Sequence, residues 1–179
     1  MMRVRRFAVA VPAACACLSI AGALAWARQK AKNAEDQVRA AAFRYYAGTI
    51  FGDADVCLAV SRMPLYIVRD GQITLRDDKA MRALLSSIAQ HMKQRPLSDD
   101  DRKRVTANML TIFDEASIQF IGANTAACTF LVHKGVKQEE GDNLATLILH
   151  RQNDQWRVIE EITDSAPVPP AYLQSPGER

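Results

Sequence analysis

Met81, Leu84, Leu85, Ile88 and Met92 recur at i, i+3, i+4, i+7 and i+11, while Asp78, Lys79, Arg82 and Gln90 fill the opposite face. This spacing predicts an amphipathic helix begun by an Asp77 cap. Upstream, Val38, Ala42, Tyr45 and Thr49 also recur at helical spacing. Asn33 can cap that helix, Glu35 and Asp36 suit the positive end of its dipole, and Gly52 can end it. Asp53 restarts the chain as the cap of a short second helix, with Val56, Cys57, Ala59 and Val60 on its apolar side and Pro64 as its stop. Leu65 to Val68 is a β-prone run that breaks at Asp70-Gly71, and Ile73 with Leu75 continues it, the pattern of a small hairpin.

Beyond the amphipathic helix, Gln94 to Arg104 mixes charges and a proline and reads as a solvated polar linker. Alternation then replaces the helical period. Five strand candidates follow: Val105 to Phe113, Ala116 to Ile121, Ala126 to His133, Leu144 to Arg151 and Trp156 to Ile162. The first two also fit one strand interrupted at Asp114-Glu115. Gly122-Ala123-Asn124, Gly135 to Asn143 and Asn153-Asp154 supply turns, so the last three strands are expected to form an antiparallel meander. Helices first and strands last predict an α+β fold, with N-terminal helices packed on one face of a curved antiparallel sheet. Such a sheet closed by helices is a cone, and a cone can enclose a pocket.

The first 27 residues carry a different pattern. Arg3, Arg5 and Arg6 precede an uncharged apolar run from Phe7 to Ala27, the order of a secretory signal peptide. Ala23-Leu24-Ala25 and Ala25-Trp26-Ala27 both have the small-x-small form that a signal peptidase cuts after. The run also meets the roughly 20 residues a helix needs to cross a bilayer, so an uncleaved anchor stays open as the alternative. Cys15 and Cys17 lack an aliphatic residue three positions earlier, which argues against lipid attachment. The expected organisation is an export segment or anchor over 1–27, one domain over 28–165, and a proline-rich disordered tail over 166–179.

This segment changes the reading of charge. The formal +3 arises from 23 basic against 20 acidic residues, and setting aside Arg3, Arg5 and Arg6 leaves 20 of each. A neutral domain without basic runs lacks the electrostatic footprint of a nucleic-acid binder, so no nucleic-acid partner is expected. A membrane is expected to be met only through 1–27, if that segment is retained. Two cysteines remain beyond it, Cys57 and Cys128, and export to an oxidising compartment makes them a candidate disulfide against the alternative of two buried thiols.

The order of elements resembles the nuclear-transport-factor-2-like (NTF2-like, cystatin-like) superfamily over about residues 34 to 165. The resemblance rests on Arg-Tyr-Tyr-Ala-Gly-Thr-Ile-Phe-Gly-Asp-Ala-Asp at 44–55 and His-Arg-Gln-Asn-Asp-Gln-Trp-Arg-Val-Ile-Glu-Glu at 150–161, which looks like the closing hairpin of SnoaL-like members. That superfamily includes isomerases, dehydratases, cyclases, transport adaptors and exported domains without known activity, so the resemblance does not choose a function. Its ketosteroid isomerases place a hydrogen-bond-donating tyrosine seven residues before the Gly-Asp turn, and Tyr45 stands seven before Gly52. The resemblance therefore makes Tyr45 a catalytic candidate, able to stabilise an enolate from within an apolar cone. The family's general base would fall near Arg69 and its protonated acid near Ile148, neither of which can serve.

The remaining chemistry is sparse. His91, His133 and His150 have no metal-pair spacing, Ser86-Ser87 has no nucleophile elbow, and Gly48 and Gly52 belong to the first helix and its end, so no metal site, hydrolase or cofactor is expected. His133 and His150 fall near the ends of neighbouring strand candidates, where they could meet across the sheet. Trp156 is expected to pack against the first helix. Tyr45, Tyr46, Met63, Tyr66 and Phe113 are the expected pocket lining. The leading reading is an exported or membrane-tethered module that binds a small apolar ligand or a protein partner without catalysis, with a homodimer through the outer sheet face as a further option. A SnoaL-like isomerase, dehydratase or cyclase, and a structural domain beside a membrane complex, are the alternatives.

Overall fold

The computed structural model describes residues 34–133 and 142–164. The 1–27 segment, Asn33, most of the Gly135 to Asn143 turn and the 166–179 tail lie outside the described residues. The elements in order are α1 (Ala34–Phe51), α2 (Ala54–Ala59), β1 (Ser61–Arg69), β2 (Gln72–Arg76), α3 (Asp78–Gln94), α4 (Asp99–Asp114), β3 (Ser117–Gly122), β4 (Thr125–His133), β5 (Asp142–Gln152) and β6 (Gln155–Thr163). This is the α+β order expected from the sequence. Six strands form one sheet in the order β2-β1-β6-β5-β4-β3. All pairs are antiparallel except β1 and β6, which run parallel, so the sheet is mixed rather than purely antiparallel.

Local chemistry explains the helix ends. Gly52, at φ +68°, lets α1 close with the Asp53 N–H donating to the Gly48 carbonyl at 2.8 Å, and a side chain would cost it that conformation. A Cβ on Gly52 would also stand 2.5 Å from the Ala89 nitrogen, so α1 and α3 approach there through backbone. The carboxylates of Asp53 and Asp77 accept from Val56 N–H (3.0 Å) and Ala80 N–H (2.7 Å), fixing the starts of α2 and α3. Helix α2 ends at Ala59, before Pro64, which lies within β1 after a cis Met63–Pro64 peptide, where the ladder to β6 is interrupted.

The stretch expected to be a linker and then a strand is a helix. Ser98 caps α4, its hydroxyl oxygen accepting from Asp101 N–H at 3.1 Å, and Asp99, Asp100 and Asp101 occupy the positive end of the helix dipole. Arg104 pairs with Asp101 and Lys103 with Asp100 at i, i+3. Val105, Met109 and Phe113, at i, i+4 and i+8, then fall on one helical stripe and turn inward. The mixed charges of Asp99 to Arg104 are thus the solvated first turns of a helix.

Two of the three two-residue hairpin turns among the described residues have positive φ at both centres: Asp70 and Gly71 (51° and 76°), and Asn153 and Asp154 (50° and 59°). The β4-β5-β6 meander follows the expected order. His133 pairs with Asp142 and His150 with Thr125, so the two histidines stand at opposite ends of the β4-β5 ladder and do not meet. The sheet is strongly curved. Phe120 on β3 and Trp156 on β6 are three strand spacings apart, about 14 Å in a flat sheet, yet their rings meet edge-on at 5.9 Å. Trp156 is buried in that contact, within the curl of the sheet.

Helix α1 lies on the concave face and is buried on several sides at once, by Val38, Ala41, Ala42, Phe43, Tyr45, Ala47 and Gly48. An aromatic cluster ties it to the rest: Phe113 of α4 stands 5.7 Å from Phe43, 5.6 Å from Tyr46 and 4.6 Å from Phe130 of β4. These rings bury large apolar areas in edge-to-face and tilted geometry, the arrangement their quadrupoles favour.

Candidate functional site

Alternation along the strands decides which side chains enter the cone. On β1, Leu65 and Ile67 point inward, and on β5 Ala145, Leu147 and Leu149 do so. On β6 the inward residues begin as Trp156 and Val158, and continued alternation would send Glu160 inside. A register shift between Ile148 and Leu149 breaks this: Val158 pairs with Leu149 but Glu160 pairs with Ile148, leaving Ile159 as the extra residue. The next inward position is therefore Glu161, opposite Leu147.

Glu161 meets the first helix there. The Tyr45 hydroxyl donates to Glu161 Oε2 at 2.5 Å, joining residues 116 positions apart. Tyr45 is buried, and this burial, with the Glu161 charge beside it, raises its pKa well above the ordinary tyrosine value. Tyr46 is pushed up to about 12, mainly by burial and then by Glu161. Both phenols hold their protons at neutral pH.

A cavity of about 510 Å³ opens beside this pair. Tyr46 and Ile50 of α1, Met81, Leu84 and Ile88 of α3, and Phe130 and Leu147 of the sheet give it mostly apolar walls. Its polar groups are Glu161, Thr163 and Asp164 along the end of β6, Arg69 and Arg76 from the β1-β2 hairpin, Thr49, and Asn143 at the start of β5. Arg69 Nε donates to Thr163 Oγ1 at 3.4 Å. The Asn143 side-chain oxygen is buried without a donor among the described residues.

Of the residues singled out in the sequence, Tyr45 and Tyr46 line this cavity. Phe113 sits one layer behind it, in the core cluster with Tyr46 and Phe130. Tyr66 lies between the inward Leu65 and Ile67, so it faces the convex side opposite Leu75 and is 49% exposed. Met63 packs against the margin of the core without reaching the cavity. Arg69, at the place where the resemblance puts a base, is in the cavity wall, whereas Ile148 pairs with Glu160 on the convex side.

Cys57 and Cys128 are both buried and unbonded, which corrects the disulfide candidate. Cys57 packs on α1 at Gly48, whose added Cβ would stand 2.7 Å from the Cys57 Cβ. Cys128 pairs with Ile118 on β3, beneath the Arg39 end of α1, where Arg39 reaches the Ala116 carbonyl at 3.3 Å. Residues 39 and 48 are separated by about 13 Å along a helix, well beyond disulfide reach. Burial pushes each thiol up to about 12. Among the described residues no group of three or more His, Cys, Asp or Glu side chains comes together as a metal site would require.

No family model and no curated protein matches the chain. Among solved structures, a cystatin-like fold protein from Burkholderia xenovorans aligns with 78% of this chain and 97% of its own, at 12% identity and a TM-score of 0.51. The chain has the cystatin-like fold. A cystatin-like fold protein of unknown function from Nostoc punctiforme covers the same shares at 15% identity and a TM-score of 0.47. An NTF-2 like protein of unknown function from Shewanella oneidensis covers 72% of this chain and 97% of its own at 11% identity and a TM-score of 0.42. At such identities the likeness is one of fold, and the chemistry of this cystatin-like cone must be read from its own side chains.

Among those side chains, Glu161, Arg76 and Asn143 were not singled out in the sequence. Glu161 enters only through the β6 bulge. Arg76 ends a strand whose register with β1 sets its direction, opposite the inward Leu65. Neither carries a local sequence signal.

Proposed function

We propose that this NTF2-like domain works outside the cytoplasm, released or tethered by its N-terminal segment, and holds a small ligand with a largely apolar body in the cone without transforming it. The cavity of about 510 Å³ carries the reading. It falls within the roughly 300–1,000 Å³ usual for small-molecule sites, with apolar walls and a few convergent polar groups. A cone serving only as a scaffold has no need to leave such a space, because protein interiors otherwise close to few voids larger than a water molecule. Against catalysis by Tyr45 stands its hydrogen bond: the single phenolic proton is already given to Glu161, so it is not offered to a developing oxyanion.

Titration with N-phenylnaphthylamine, a neutral fluorophore whose emission rises in apolar surroundings, tests this. The expected outcome is saturable binding at one site per chain, lost in Leu84→Trp, which places an indole in the cavity wall, while that variant keeps its melting temperature. Absence of saturable binding by the wild-type protein would defeat the reading.

A second reading, a SnoaL-like isomerase, dehydratase or cyclase, is favoured by one observation. Glu161 is a carboxylate in the wall of an apolar cavity with a phenol fixed against it. Its test is isomerisation of a β,γ-unsaturated ketone, which this reading requires to fall at least a hundredfold in Glu161→Gln. The location rests on the sequence of residues 1–27, and the mass of the protein purified from its native host distinguishes a processed chain from an anchored one.

A further inference from the structure

The polar end of the cavity suggests what kind of head group its ligand carries. Arg76 ends β2 opposite Leu65, on the inward face of the hairpin, and is partly buried in the cavity wall. Its side chain makes no hydrogen bond or ion pair among the described residues. A guanidinium has five N–H donors and no acceptor, stays charged at any accessible pH, and gains most from a bidentate oxyanion when partly withdrawn from water. A second guanidinium, Arg69, lies in the same wall, where Thr163 orients it. The two acids of the cavity compete unequally for these cations. Glu161 has one oxygen engaged by Tyr45 and forms no ion pair with either arginine, and Asp164 is exposed at the rim.

We infer that the cavity takes an amphipathic small molecule bearing one carboxylate-type anionic head, with Arg76 as the anchor for the oxyanion and the apolar body lying between α1 and α3. The inference rests on the ligand-binding reading above and adds the charge of the ligand to it. The Asn143 amide, whose oxygen lacks a donor among the described residues, can present its NH₂ to the same head after a flip of the amide. An amine head would reverse the logic, seeking Glu161 and meeting repulsion from Arg76 and Arg69.

Displacement of bound N-phenylnaphthylamine from the full chain by decanoate, decanol and decylamine separates these outcomes, because the three share a chain and differ only in the head. Decanoate is expected to displace the probe at a concentration at least tenfold lower than decanol or decylamine. Arg76→Gln should remove that preference by weakening decanoate about tenfold and changing decanol less than twofold, and Arg76→Lys should restore part of it. Equal displacement by all three, or tightest displacement by the amine, overturns the inference while leaving ligand binding intact. So does a preference for decanoate that survives in Arg76→Gln. Failure of the probe itself to bind defeats both readings together, and unchanged melting temperatures in the two variants exclude misfolding as the cause of any loss.

Discussion

Tyr45 on the first helix and Glu161 on the last strand share one proton-bearing contact of 2.5 Å, and through it the two ends of the domain fix the polar wall of the cavity. Tyr45→Phe keeps the ring and removes the donor, leaving a partly buried carboxylate short of a partner. The expected loss is about 1.5–3 kcal/mol, the range for hydrogen bonds to charged groups, read as a lower urea midpoint at unchanged m-value. Glu161→Gln, which can still accept from the phenol, should lose less.

The raised pKa values predict an alkaline limit. Cys57 and Cys128 move from 9.0 to about 12 and Tyr45 moves upward from 10.0, so in each case the folded state binds the proton more tightly than the unfolded chain. Their contribution is complete below the unfolded values and is lost as pH rises through the folded ones. Stability should hold steady up to pH 9, then fall between pH 9 and 12. Cys57→Ala and Cys128→Ala should each flatten that fall, measured by urea unfolding at a series of pH values. With both thiols buried and unbonded, the native protein should resist a maleimide, and unfolding without reductant should expose both to it.

Gly52 cannot accept a side chain for two separate reasons, its φ of +68° and the Ala89 backbone 2.5 Å from the position of a Cβ. Gly52→Ala is therefore expected to destabilise by about 3 kcal/mol, combining left-handed strain with overpacking. Thermal unfolding checks this, with Gly71→Ala as a comparison in which only the strain applies, because nothing stands within 4 Å of that site.

Ser98 begins a helix that the chain's polarity disguises. Ser98→Ala removes the acceptor for Asp101 N–H and should cost about 1 kcal/mol. Phe113→Ala, at the far end of the same helix, should cost about 3–5 kcal/mol because the ring is fully buried against Phe43 and Phe130. Urea midpoints of the two variants measure the difference.

The convex face of the hairpin leaves Tyr66, Ile73 and Leu75 at 49%, 70% and 56% exposure. Such a patch on an edge hairpin suits association, and the expected outcome is a homodimer through the outer sheet face. Sedimentation should find a dimer for the wild-type chain and a monomer for Ile73→Lys/Leu75→Lys. A wild-type monomer at high concentration would dismiss this partner.

Where the chemistry is local, the sequence by itself determined the outcome. Asp53, Asp77 and Gly52 punctuate the helices because a short carboxylate or an absent Cβ acts on backbone atoms within four residues. Asp70-Gly71 and Asn153-Asp154 turn the chain because those residues tolerate positive φ. The single stripe of Met81, Leu84, Leu85 and Ile88 reads correctly for the same reason. The segment from Ser98 to Phe113 misled because its charged first turns resemble a solvated loop and its later residues include enough Val, Thr and Ile to suggest a strand; the cap at Ser98 was the overlooked signal.

The candidate site was only half legible. Tyr45 and Tyr46 declare themselves as aromatics on the inner stripe of a helix, but the face of Tyr66 depends on strand parity, which Leu65 and Ile67 fix only once β1 lies against β6. Glu161 is the clearest case of what the tertiary structure alone decided. One extra residue in β6, set by pairing with β5, reverses the faces of everything after Val158 and brings a carboxylate inward that simple alternation sends to solvent. The charge and turn chemistry of this chain are written in single residues, whereas its cavity is written in the register between strands.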